Sequence, residues 1–190
     1  MYIGVDVHLK ELTIAAIDEK LNIDFFKSVD KEEFYRIVKE YNPKIISIDA
    51  PSMLNKGFMD DEGYRSNLSK KINGHFNKKV SEYELSRRNI HPFSTPGSLE
   101  DAKGWKNWMN NGFMIFEKLS EMGYPLITSK NHGEIEKGCH EVFPHANFTT
   151  LLVYIPSHKK KEQRINERIQ VLRNGGGKDL RLLDDVKKKD

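Results

Sequence analysis

The chain has 190 residues, 37 % of them hydrophobic and 31 % charged, with a formal net charge of +3; this suits one soluble globular core and is short for two. No window is apolar for long enough to span a bilayer, and the N-terminus has no basic leader before its first apolar run, so neither a membrane protein nor a secretory precursor is expected. Cys139 is the only cysteine, which excludes an internal disulfide and points to a reducing compartment, hence a cytoplasmic protein.

The opening run Tyr2 to Val7 alternates, with Ile3, Val5 and Val7 on one face and Gly4 and Asp6 on the other, and predicts a strand. After His8-Leu9-Lys10-Glu11, the apolar run Leu12 to Ile17 predicts a second strand paired with the first as a hairpin. Asp6 then lies mid-strand, where a carboxylate loses hydration unless a cation, donors or a solvent-filled cleft compensate. Asn22 to Ser28 predicts a third strand. Asp30, followed three residues later by Glu33, marks a helix start; Phe34, Ile37, Val38 and Tyr41 share a helical face, and Asn42-Pro43 ends it.

Lys44 to Asp49 is short and β-branched and predicts a fourth strand, stopped by Ala50-Pro51. A helical crossover between the third and fourth strands makes the fourth parallel to the first, which brings Asp6 and Asp49 together at strand ends, where open α/β sheets hold ligands. Two such carboxylates side by side call for a shared proton or a cation between them.

Residues 52–103 are rich in Gly, Pro, Ser and Asn and read as an insertion in a single domain, with Lys78 to Arg88 its best helix. The insertion interleaves aromatics (Phe58, Tyr64, Phe76, Tyr83, Phe93) with cations including Lys70, Lys71, Arg87 and Arg88. That pattern serves either base stacking or a small local core. Trp105 to Met122 has an aromatic stripe at helical spacing, expected to pack on the sheet, with Gly123 just past its end.

Tyr124 to Thr128 predicts a short strand. Cys139 to Phe143 predicts another, with Cys139, Glu141 and Phe143 on one face, stopped by Pro144. A helical tail with Ile165, Ile169 and Leu172 runs to the break at Asn174-Gly175. From Pro156 onward 11 Lys plus Arg face 6 Asp plus Glu, first of all a solvated lysine-rich face and otherwise a phosphate-binding one.

The phrases IGVDVHLKELTIAAID, SIDAPS, YELSRRNIHPFSTPG and HEVFPHANFTTLL, in this order, resemble the family called domain of unknown function 429, whose members are predicted nucleases with an RNase H-like fold. The resemblance implies an α/β fold whose RNase H-like mixed sheet has antiparallel strands 1–3 and then parallel strands, flanked by helices. It implies Asp6, Asp49 and Glu141 as acids holding Mg²⁺ or Mn²⁺ for phosphodiester hydrolysis of DNA or RNA. Arg87 or Arg88 would clamp a phosphate. His8, from its place beside Asp6, would either touch substrate or simply end the hairpin. The opening phrase is also similar to RuvC-like DEDD transposases, whose later motifs differ. Catalysis lost from this fold would instead leave a nucleic-acid or protein binding module.

Such nucleases draw a further acid from a helix after the last core strand. Asp184, Asp185 and Asp190 are the late candidates considered, with no apolar helix behind them, and the chain is expected to stop short of its natural end. His8, His132, Cys139, His140 and His145 match no paired spacing for structural zinc. The turn after the first strand lacks the Gly-Thr-rich phosphate loop of sugar-kinase and actin-like ATPases.

Overall fold

Alternation in the first hairpin becomes burial in the computed structural model, which describes residues 1–68, 74, 76–156 and 162–176. In β1 (Tyr2–Val7) and β2 (Leu12–Ile17), Ile3, Val5, Val7, Leu12, Ile14 and Ala16 are all buried. Their alternates Gly4, Asp6, Thr13 and Ala15 are half-buried on the opposite face. β3 (Ile23–Val29), β4 (Ile45–Asp49) and β5 (Gly138–Glu141) complete a sheet of order β3-β2-β1-β4-β5. β3, β2 and β1 pair antiparallel, and β1, β4 and β5 pair parallel. With helices flanking it, this mixed sheet is consistent with an RNase H-like α/β fold.

α1 (Lys31–Tyr41) starts at Asp30, whose carboxylate accepts the Glu33 amide at 2.8 Å, and ends where Asn42 turns left-handed at φ 43°. It buries Phe34, Ile37 and Val38. A 3₁₀ turn, Gly104–Lys106, leads into α4 (Asn107–Glu121), which buries Met109, Ile115, Phe116 and Leu119. Both helices share one core cluster with Ile3, Val5, Ile46, Ile48 and Cys139, so they cover the same face of the sheet. The aromatic stripe expected along α4 therefore divides. Trp108 packs partly against that core, whereas Trp105 is exposed because it precedes the regular helix.

Gly112 marks the closest approach of α4 to the sheet. A Cβ there would stand 2.6 Å from the Ala50 Cβ and 3.1 Å from the Pro51 carbonyl oxygen. This contact seats the segment that follows Asp49. Gly112→Ala is expected to lower stability by about 1–3 kcal/mol through overpacking, although alanine is the better helix former; thermal denaturation checks it, and an unchanged Tm would show that the segment can retreat freely.

Within the insertion lie a 3₁₀ turn (Phe58–Asp60), α2 (Glu62–Ser66) and α3 (Val80–Ser86). Its aromatics largely satisfy one another: Phe58 stacks on Tyr64 at 5.6 Å, Arg65 lies 4.4 Å over Phe76, and Tyr83 is buried. Tyr124 to Thr128 is not a strand but a segment making one parallel bridge, Leu126 with Cys139. Pro144 both stops β5 and opens a helix absent from the sequence reading, α5 (Pro144–Leu152), since proline's fixed φ and missing N–H suit the first helical turn. α6 (Glu162–Asn174) follows. Lys70, Lys71, Asp184, Asp185 and Asp190 lie outside the described residues. Among the described residues no helix is long and apolar enough to cross a membrane.

Candidate functional site

Parallel pairing of β1 with β4 puts Asp6 directly beside Asp49, the last register pair of the two strands. Neighbouring strands lie about 4.8 Å apart and laterally paired side chains share a face. Both carboxylates therefore emerge at the strand ends on the face opposite to Val5 and Ile48. They line one cleft of about 1140 Å³, together with His8, Phe93, Trp108, Phe143, His145, Phe148 and Arg168.

The Asp6 side chain is 48 % exposed, and its Oδ2 lies 3.5 Å from His8 Nε2. That nitrogen is also 3.4 Å from the hydroxyl of Thr13, the β2 residue paired with Asp6. Asn111 of α4 holds the turn in place, its side-chain amide donating to the carbonyls of His8 at 2.9 Å and Leu9 at 3.1 Å. α4 thus fixes the site from both sides: Gly112 through Ala50, Asn111 through the β1–β2 turn.

Glu141 does not join this pair. Its register partner is Ile48, so its side chain leaves the sheet on the α4 face, opposite to Asp6 and Asp49. There Oε2 accepts the Lys79 ammonium at 2.8 Å and both the amide and the hydroxyl of Ser52 at 3.0 Å. The insertion delivers that lysine. Lys79 is the N-cap of α3, its amide bound to Glu82, and the buried Glu82 carboxylate also accepts the Thr95 amide at 3.0 Å and the Thr95 hydroxyl. Glu141 lines a second cavity of about 550 Å³, which Asp49, Phe93 and Trp108 also border.

Arg87 and Arg88 are likewise engaged elsewhere, with Glu84 Oε2 at 2.8 and 2.6 Å, and line neither cavity. The arginine at the cleft is Arg168 of α6, its guanidinium 5.6 Å over the Phe148 ring. Sequence reasoning passed over it because it treated α6 as an apolar edge. His145 and Phe148 lay within the quoted phrase HEVFPHANFTTLL and Ser52 within SIDAPS, but without the unrecognised α5 nothing aimed the first two at Asp6. A separate groove of about 940 Å³ between α1 and the end of α4 carries none of the three acids.

Two neighbouring carboxylates on an open rim suit one hard divalent cation that retains several waters. Glu141 leaves the sheet on the other face and is held by Lys79, although it borders a cavity with Asp49, so as the side chains stand the acids that face one another are Asp6 and Asp49. In agreement, no group of three His, Cys, Asp or Glu residues is arranged to hold a metal among the described residues.

One half-buried histidine lies beside the site. His140 hydrogen-bonds its register partner Ser47, two residues before Asp49, at 2.6 Å, and burial pushes its imidazole below the usual value of 6.5. The unfolded chain then takes up this proton first. Its contribution is complete above about pH 6.5 and is lost as pH falls from there towards the lower folded value. The paired carboxylates of Asp18, Glu19 and Glu33, whose acidity hydrogen bonds increase, lose their contribution only below about pH 4.5. A fall in Tm between pH 7 and 5.5 is expected, flattened in His140→Gln; a variant that keeps the full slope would assign the effect elsewhere.

No curated protein matches the chain. The model of the family described as protein of unknown function (DUF429) matches residues 4–189. Because that match runs over nearly the whole chain, the protein belongs to the DUF429 family.

Proposed function

We propose that the protein hydrolyses phosphodiester bonds in DNA or RNA, with one Mg²⁺ or Mn²⁺ ion held by Asp6 and Asp49. The observation that carries this reading is the pairing of those two acids at adjacent parallel strand ends over a cleft large enough for a nucleotide. When bound, the cation supplies neutralisation of phosphoryl charge and Lewis-acid polarisation. The chain's own groups do the rest. Asp6 and Asp49 fix the register of the ligand against the sheet. His8, at the solvent rim beside Asp6, takes or gives a proton at Nε2. Arg168, set over Phe148 and bonded to the Arg164 carbonyl at 3.0 Å, brings a guanidinium charge to a phosphate in the cleft.

The test is incubation of the protein with single-stranded, duplex and hybrid substrates in Mg²⁺ or Mn²⁺ and in chelator. Cation-dependent cleavage of any of them is expected; none with either ion would end the proposal. A second reading, a binding module without catalysis, is favoured by the Lys79 ammonium on Glu141, where a third metal ligand is expected from the resemblance. A module of that kind shows no rise in Tm with Mg²⁺ or Mn²⁺, whereas a cation site does.

A further inference from the structure

Both tryptophans of the chain stand in one aromatic cluster with Phe93. Phe93 meets Trp105 edge to face at 5.1 Å and Trp108 at 6.4 Å, yet Phe93 and Trp105 are each 60 % exposed. Large rings left in water forgo the stabilisation that burial gives them, so a contiguous exposed group of them marks a contact surface. Trp108 packs partly against the core, whereas Phe93 and Trp105 stand outside it, and Met109, Ile115, Phe116 and Leu119 anchor α4. The cluster's position is informative: Phe93 and Trp108 form part of the wall of the cleft that holds Asp6 and Asp49.

Two lysines flank Trp105, in a stretch bracketed by Asp101 and Glu117. Residues 102–116 contain Lys103 and Lys106 and no acidic residue. Lys106 Nζ lies 5.6 Å from the Trp105 ring, anchored on the Ser94 carbonyl at 3.3 Å, and Lys103 is exposed in the same turn. Exposed ring faces with cations alongside match a polyanion that also carries flat π-surfaces. In a duplex those surfaces are hidden in the stack; in a single strand they are available.

We propose that Phe93, Trp105 and Trp108 form a stacking platform for the unpaired bases of a single-stranded nucleic acid, which they hold at the rim of the Asp6–Asp49 cleft. The inference rests on the nucleic-acid part of the proposed function and not on catalysis.

Because the two tryptophans both belong to the platform, intrinsic emission reports on it alone. The full chain, in chelator so that no cation contributes, is titrated with a thymidine oligonucleotide and with a duplex of the same length. The single strand is expected to quench the emission saturably and to bind at least about tenfold more tightly than the duplex, since only it can stack. By fluorescence anisotropy of labelled strand, Trp105→Ala and Phe93→Ala are expected to weaken binding by roughly 5- to 100-fold, and Trp105→Phe by no more than about threefold. Equal affinity for strand and duplex, or wild-type affinity in Trp105→Ala, overturns the platform. So does an absence of quenching, which leaves the patch to a protein partner. Strand binding without cleavage in any cation overturns the hydrolase and keeps the platform. Duplex cleavage without strand-selective binding does the reverse.

Discussion

Asp6→Asn is expected to reduce cation-dependent cleavage by roughly 10²–10³-fold, the usual cost of removing one preorganised electrostatic group, while leaving Tm almost unchanged. Asparagine keeps the shape of the side chain and its contact with His8, and a carboxylate that is 48 % exposed contributes little to folding. Asp49→Asn is expected to have an effect of the same order, because the two residues are register partners facing one cleft. The double variant is expected to lose little more than either single one, as groups that act on one ligand are not additive. The variants also lose the rise in Tm that Mn²⁺ gives the parent protein. Wild-type cleavage by Asp6→Asn would remove the acid pair from the chemistry.

The second large effect separates Glu141 from that pair. Glu141→Gln is expected to lower stability by about 1–3 kcal/mol, because the Lys79 ammonium, only 15 % exposed, is left against a neutral amide. In a chain of this size that corresponds to a fall of about 2–10 °C in Tm. The Ser52 hydrogen bonds survive in part, since the amide oxygen still accepts them. Cleavage is expected to fall less than about tenfold, through displacement of the Ser52 segment that follows Asp49 and not through loss of a ligand. Lys79→Met combined with Glu141→Gln is expected to be more stable than Glu141→Gln alone, because removing both charges leaves neither unpaired. Unchanged Tm with cleavage lost by 10²-fold or more would return Glu141 to the reaction.

The contrast between these variants reflects a distinction already half visible in the residue order. Asp6 alternates against Ile3, Val5 and Val7; Asp49 alternates against Ile46 and Ile48; Glu141 shares its parity with Cys139. Each statement refers to a single strand. To compare them one needs the register, and only the pairings Asp6 with Asp49 and Ile48 with Glu141 show that two acids lie on one face and the third on the other. Grouping all three rested on their shared sheet edge; the register turns Glu141 to the other face, where it still borders a cavity with Asp49.

Alternation, end-capping by Asp30 and the proline stops were enough to give β1 to β5, α1 and α4 within a residue or two, along with the neighbouring positions of Asp6 and Asp49. These follow from short-range forces: the two-residue period of a strand, the helical spacing of apolar groups and the donors left open at a helix start. Tertiary structure alone decided that Lys79, sixty-two residues away in the insertion, reaches Glu141, that Arg168 and not Arg87 or Arg88 borders the cleft, and that Trp105 stays in water. Each of these depends on where a long connection returns to the sheet. That return is set by the summed packing of many weak contacts, such as Gly112 on Ala50 and Glu82 on Thr95, and leaves no local periodic mark in the chain.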